Sequence, residues 1–301
     1  MDRRQFIKYS TIIAGTTAVT KRNILANGYG TIKAEYGEIL PIASFARKYF
    51  EYLCPLPFGE HHLELFEIIE SSILKNKDVR KIARAWPSSG GASTILRIVV
   101  PLWLLAYKLK SYIINVNSAN YRSANCYFED LKEIINGHAE LIEKFPHLKN
   151  VVFRSNNKTV LPNDQIFERL PFDYSALRLT ETNKYKDTAR PDIILFDNPY
   201  DYESCITSYQ KEKIKQYFYK YWLNVGMNDT VFIYIGTTVA RNDLTDTLIK
   251  DKKWDAKRLS VFSGNENLLW PEKWNIQYLD KRRQEIGIGT FMAEYLNRPL
   301  F

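Results

Sequence analysis

A chain of 301 residues, 45% hydrophobic and 25% charged, has the make-up of a soluble globular protein with a core, arranged as one large α/β domain or two smaller ones. Its three cysteines (Cys54, Cys126, Cys205) are odd in number and far apart, which excludes a disulfide framework, and its four histidines form no zinc-spaced cluster with them. The net charge of +8 and pI near 9.1 suit a polyanionic partner without requiring one.

The first 27 residues stand apart from the rest. Arg3-Arg4 precede Phe6-Ile7-Lys8 and a modest apolar run that ends near Val19. This pattern resembles a twin-arginine export signal, with Ala26 at the place of a cleavage site. The run is too short to span a bilayer. The alternative is an amphipathic or disordered basic arm. On either reading the folded domain is expected to cover 28–301.

Residues 35–77 place apolar positions at helical spacing, as in LELFEIIESSILK, after a turn at PLPFGE. The adjacent His61-His62 pair near that helix start suits a surface or capping role, since neighbouring side chains on a helix do not converge on one metal. KIARAW reads as a short strand entering a loop, PSSGGAST, and TILRIVVPLWLLAYKLK as the helix leaving it, kinked at Pro101. YIINVNSA is a buried strand, followed by a helix over NYRSANCYFEDLKEIINGH. Residues 146–190 are irregular, with short strands at NVVFR and KTVLP.

DIILF is a β-branched strand that ends in Asp197, and QKEKIKQYFYKYWLNVG is a basic aromatic helix closed by Gly226. TVFIYIGTT is a further buried strand that runs into small polar residues. The last segment, LDKRRQEIGIGTFMAEYLNRPLF, is helical with a glycine break. Strands alternating with helices predict a parallel sheet covered on both faces.

In such a sheet, ligands sit at the carboxyl ends of strands, and three ends here carry suggestive residues. At the first, Gly90 and Gly91 let backbone N–H groups curl around an anion at the start of a helix, and Ser93 or Thr94 offers a hydroxyl to magnesium. At the second, Asp197 closes a hydrophobic strand where it could hold magnesium through water. At the third, Gly236, Thr237 and Thr238 follow TVFIYI, where a polar side chain could sense a γ-phosphate. Taken singly, each is equally a turn, a capping acid or a strand-end turn. Their order and spacing together favour a nucleotide fold.

These residues, with the helix GEHHLELFEII, the strand ARPDIILFDNPYD, and the segments GTTVARNDL, LWPEKW and GIGTFMAEYLNRPL, resemble the ATPase domain of the large terminase subunit. That family, found in bacteriophages and prophages, packages DNA into tailed-phage heads. The likeness runs from about Leu40 to the end of the chain. It implies an α/β, P-loop NTPase fold of the additional-strand type. It also implies ATP and Mg2+ as cofactors, cytoplasmic action on double-stranded DNA, a possible homo-oligomeric ring, and a portal and a small terminase subunit as partners.

The family's phosphate loop, Pro-Arg-Gly-x-Gly-Lys-Ser-Thr, falls on Pro87, Ser88, Ser89, Gly90, Gly91, Ala92, Ser93 and Thr94, so both basic residues are missing. The strand acid falls on Asp197, but the catalytic acid that follows it falls on Asn198. Gly236 and Thr237 keep the coupling motif. A phosphate-binding lysine contributes roughly 1.5–3 kcal/mol in charge-assisted hydrogen bonding. Loss of a positioned stabilising group commonly costs ~10²–10³ in rate. Asn198 cannot take a proton from water.

Candidate replacements are Arg84, near the loop's start, for the basic residue, and Asp201 or Glu203 for the acid; the alternative for Arg84 is a surface charge on its strand. The expected result is a degenerate motor domain, weak or inactive as an ATPase. The family's nuclease domain would begin about where this sequence stops, at Phe301, so its acid cluster is not expected here. Two further readings stay open: a non-catalytic remnant that binds DNA or protein, and an exported protein of another role.

Overall fold

Among the described residues, the β-branched runs form the centre of an eight-stranded sheet. The computed structural model describes residues 33–35, 37–75, 79–118, 131, 133–149, 152–155, 158–173, 190–263 and 267–300. The segment with Arg3, Arg4 and Ala26 lies outside them, as do Cys126 and most of the helix expected over NYRSANCYFEDLKEIINGH.

A small antiparallel hairpin, β1 (Lys33–Ala34) and β2 (Gly37–Glu38), precedes helices α1 (Ile42–Phe50) and α2 (Glu60–Leu74). The helical spacing read over 35–77 therefore resolves into a hairpin and two helices, separated by the PLPFGE turn. Strands β3 (Lys81–Ala85), β4 (Tyr112–Asn117), β5 (Val152–Ser155), β6 (Lys158–Val160), β7 (Ile166–Pro171), β8 (Ile193–Asp197), β9 (Val231–Gly236) and β10 (Asp255–Arg258) make the main sheet. Their order is β10-β3-β9-β8-β4-β7-β6-β5. Pairing is parallel from β10 to β7, and β6 and β5 extend the sheet antiparallel. A strand, β9, is thus inserted between the loop-bearing β3 and the acid-bearing β8. This is the additional-strand arrangement that the resemblance implied.

Side chains alternate between faces with period two, and each face has its own core. Ile82, Ile113, Ile193, Leu195 and Ile233 pack with Phe45 of α1, Leu65 and Ile69 of α2, and Leu96 and Leu102 of the helix after the loop. Ala83, Ile114, Ile194, Phe196, Phe232 and Tyr234 pack with Phe218, Trp222, Leu244 and Leu248 on the other face. The last four belong to α5 and α6. Helix α5 runs through Ser208–Tyr217, a π segment Phe218–Trp222 and Leu223–Val225, and α6 is Leu244–Lys250. A short α4 (Ala139–Lys144) lies between β4 and β5. Both faces of the parallel strands are covered, so their sequences read as continuous apolar runs.

The helix after the loop, α3, has three parts: Ala92–Thr94, a π segment Ile95–Val99, and Val100–Ala106. The Val100 N–H reaches back five residues to the Ile95 carbonyl. Pro101 follows and has no N–H to continue that register, which frees the Leu96 carbonyl. Asn115 of β4 donates its side-chain N–H to this oxygen at 3.3 Å. The expected kink at Pro101 is therefore a widened turn one step earlier, with its orphan carbonyl satisfied from the sheet. The final helix, α7 (Ile276–Glu294), breaks at Gly287, where φ is 78°. Among the described residues no helix is long and apolar enough to cross a membrane.

Candidate functional site

The loop that leaves β3 is held by its own backbone and by two buried rings. Trp86 N–H bonds the Gly236 carbonyl at 3.0 Å, which ties the loop's start to the end of β9. The Trp86 Nε1–H then donates to the Gly90 carbonyl at 2.9 Å. His62 Nε2 reaches the same oxygen, also at 2.9 Å. The Gly59 N–H points at His62 Nδ1 at 3.0 Å, so Nδ1 accepts and the ring proton sits on Nε2, facing Gly90. His62 thus caps α2 with one nitrogen and clamps the loop with the other. Gly90 has no room for a side chain: a Cβ would lie 2.5 Å from Trp86 Nε1. Ser89 and Gly91 both adopt positive φ, 62° and 83°, which curls the loop into the first turn of α3.

Burial keeps both histidines neutral. It lowers the pKa of His62 to about 4 and that of His61 to about 3, the latter helped by His62 and Lys257. The His61 ring has no hydrogen-bond partner and lies 3.8 Å from the His62 ring and 5.0 Å from that of Trp86, centroid to centroid. The capping role expected for this pair holds for His62. Both rings are buried, so a surface role does not.

The ends of β8 and β9 are stitched to each other and to the loop. Asn198 N–H bonds the Ile235 carbonyl at 2.9 Å, and the Asn198 side-chain oxygen accepts from Thr237 N–H at 2.8 Å. Asn198 has φ of 42°, a left-handed conformation that asparagine tolerates better than most residues. The Thr237 hydroxyl donates to the Trp86 carbonyl at 3.2 Å. Asn198, which stands where the resemblance places a second acid, therefore acts as a cross-link.

Asp197 is fully buried. Its Oδ2 is paired with Arg97 Nε, from the π segment of α3, and its Oδ1 accepts from the Ser93 hydroxyl at 3.2 Å. Ser93 and Arg97 are four residues apart and so lie on the same side of α3. Both carboxylate oxygens and the Ser93 hydroxyl, one of the two expected to meet magnesium, are therefore committed to an internal cluster, while Thr94, the other, lines the cavity formed by the loop and the strand ends. The donor set does not fit a divalent cation, because a guanidinium already supplies the positive charge that Asp197 needs. Among the described residues no group of three or more His, Cys, Asp or Glu side chains is placed to hold a metal.

The loop, α3's first turn and these strand ends surround a cavity of about 630 Å³. Of the residues expected at the site, Gly90, Gly91, Ala92, Ser93, Thr94, Asp201 and Thr237 line it. Arg84, Asp197 and Gly236 do not. Arg84 is a correction: its buried guanidinium bonds the Asp255 side chain at 2.9 Å and the Asp255 carbonyl at 2.6 Å. Asp255 is level with Ile82, two residues before Arg84 on β3, so the guanidinium points back along the strand and away from the loop. Asp201 faces the cavity, but its Oδ1 accepts from Ser204 N–H at 3.0 Å and from the Ser204 hydroxyl at 2.8 Å. Glu203 is not among the lining residues. Gly236 serves packing, since a Cβ there would meet Thr245 Oγ1 at 3.0 Å.

Sequence reasoning assigned no role to three residues that shape the site, Arg97, Lys273 and Glu294, and did not foresee that His62 clamps the loop as well as capping its helix. Lys273 and Glu294 line the cavity from the LWPEKW and GIGTFMAEYLNRPL segments. Burial raises the Glu294 carboxyl's pKa, and a hydrogen bond with the Ser88 side chain opposes that. The Glu294 carbonyl also accepts from Ser88 N–H at 2.7 Å, which fixes α7's end to the loop. The signal for Arg97 was present: a lone arginine in an otherwise apolar helix must find a buried acid.

No protein-family model matches the sequence, and no curated protein matches it. Among solved structures, the chain is similar to the large terminase ATPase domain of Thermus phage P74-26. An arginine-to-alanine mutant of that domain aligns with a TM-score of 0.49 at 13% identity, over 75% of this chain and 92% of the other. The unmutated domain aligns with a TM-score of 0.47 at 14% identity, over 76% and 92%.

Proposed function

We propose that this chain is a terminase-like ATPase domain that binds a nucleotide in the 630 Å³ cavity and turns it over weakly or not at all. The observation that carries this reading is the convergence, on one cavity, of the glycine loop, the open first turn of a 15-residue helix and the ends of two adjacent strands. The first N–H groups of such a helix have no partner within it and favour an anion. The cavity's size suits a nucleotide. Its walls include Phe58, Trp86 and Trp270, which offer apolar faces to a base.

The weakness follows from what stands at the chemical positions. Ala92 has no cation to give a phosphate. Asn198 is occupied in holding Thr237 N–H and has no basic oxygen to activate water. Asp197 and Ser93 are engaged by Arg97 and by each other. The reading of a non-catalytic remnant draws on this same cluster.

Double-stranded DNA is the polymer partner in this proposal. Support comes from the net charge of +8 and from α5, whose Ser208–Tyr217 stretch has no buried residue and carries Lys211, Lys213 and Lys215. A portal, a small terminase subunit and a homo-oligomeric ring belong to the same proposal.

The test is ATP binding and hydrolysis by the purified chain, beside Ala92→Lys. Wild type is expected to turn over ATP at or near background, and Ala92→Lys to bind ATP about tenfold more tightly, as a new charge-assisted contact allows. Robust wild-type hydrolysis that Ala92→Lys does not increase overturns the weak-motor reading. Absence of any nucleotide binding by either protein overturns the nucleotide reading itself.

A further inference from the structure

Two charges decide what the cavity can hold. The first is Arg97. It is not in the cavity wall, and its Nε–H is engaged with the buried Asp197 carboxylate, whose second oxygen takes the Ser93 hydroxyl. A divalent ion would have to displace both, and would then leave a buried guanidinium beside it. That exchange removes one charge-assisted pair and sets two cations against each other in a poorly solvated place.

The second charge is Lys273. Among the described residues lining the cavity it is the sole lysine or arginine, and the one histidine there, His62, is held neutral. The segment that carries it is pinned to the loop. Trp270 Nε1–H donates to the Pro57 carbonyl at 2.8 Å, and the Trp270 ring meets His62 edge-on with centroids 4.5 Å apart. A Cβ on Gly91 would lie 3.8 Å from that ring, so Trp270 sits directly against the loop. The N–H groups of Lys273 and Trp274 both return to the Trp270 carbonyl, at 3.0 and 2.9 Å, and Trp274 is fully buried. The backbone of Lys273 is therefore fixed, while its side chain is exposed and free to reach an anion.

We infer that the cavity takes a nucleoside polyphosphate without a divalent cation. Lys273 supplies from outside the loop the positive charge that Ala92 does not, and Arg97 holds the place on Asp197 that a metal would otherwise take. This rests on the nucleotide reading above. Asp201 and Glu294 also face the cavity and oppose an anion, which limits the affinity that a single lysine can give. Burial raises the Glu294 carboxyl's pKa, which lowers its share of that cost, while Asp201 stays bonded to Ser204.

The experiment is a titration of the full chain with ATP and with ADP, followed by tryptophan fluorescence, since Trp86 and Trp270 line the cavity. Each is run in EDTA and again with millimolar magnesium. Because magnesium ties up most of the free ATP, the apparent affinity is expected to be weaker with magnesium than in EDTA, with Lys273→Ala weakening ATP in EDTA about tenfold and Lys273→Arg restoring much of that loss. Nucleotide binding that needs magnesium overturns this inference and leaves the nucleotide reading standing, as does tight binding unaffected by Lys273→Ala. No binding in either condition removes both. Lys273 is exposed, so loss of folding does not confuse the result, and equal melting temperatures for wild type and variant verify this.

Discussion

The loop at 86–91 and the end of β8 face one another, and they are held by different forces. The loop is fixed by neutral contacts: the Gly90 carbonyl between Trp86 and His62, Ser88 N–H on the Glu294 carbonyl, and Trp86 N–H on Gly236. The end of β8 is fixed by charge: Asp197 against Arg97, with Ser93 alongside. Neutral contacts of the first kind depend on shape and burial and make no demand on a ligand. The charged cluster is different, because its acid and hydroxyl are the groups that would serve a metal. On the proposed reading, the loop keeps the shape of a phosphate site while the groups that would serve a metal are engaged in structure.

The sharpest way to break this comparison is to remove one charge. Arg97→Met leaves Asp197 buried without its partner and is expected to cost about 3–5 kcal/mol in urea denaturation. The double variant Arg97→Met, Asp197→Leu should recover most of that loss, because paired removal of a buried ion pair is often neutral. If the single variant is as stable as wild type, the cluster is not a structural element. Asp197 would then be free for other use.

Acid tests the neutral side. His62 has a folded-state pKa depressed to about 4 from an ordinary 6.5, so its contribution is complete above pH 6.5 and is lost as pH falls towards 4. Between pH 6.5 and 5, wild type should lose up to ~2 kcal/mol more than His62→Gln, which has no titrating ring. Parallel pH profiles for the two proteins would show that the His62 ring titrates alike in the folded and unfolded chain. His61, whose pKa falls to about 3, adds a slope of the same sign to both proteins.

The same division explains what could be read from sequence. The strands at Tyr112–Asn117, Ile193–Asp197 and Val231–Gly236 were legible because residues buried on both faces form uninterrupted apolar runs. The loop was legible because glycines and small polar residues punctuate a strand and a helix. Partners were not. Arg84 sits near the loop in sequence, yet its partner Asp255 is 171 residues away on a neighbouring strand whose position no local pattern reveals. Asp197 was placed correctly at its strand end, but Arg97 reaches it from 100 residues earlier, through a widened helical turn. Lys273 and Glu294 stood in segments that carried the family likeness. Nothing in a single sequence tells which of their residues turn inward.

The smallest expected effect is at Asn198, and it is the most telling about the boundary between the two regions. Asn198→Asp keeps an oxygen where Thr237 N–H needs one, and aspartate shares asparagine's tolerance of the left-handed backbone at φ of 42°. Stability should change by less than about 1 kcal/mol, within the range of a well-matched polar swap. ATP turnover should remain at the wild-type level, because the new carboxylate replaces a single lost group while Ala92 still offers no cation and Asp197 remains bound to Arg97. Combining it with Ala92→Lys supplies the second group, and any rise in turnover should appear only in that pair. A rise with Asn198→Asp alone would mean that the charged cluster opens when a nucleotide binds, and that the β8 end has kept more of its chemistry than its resting geometry implies.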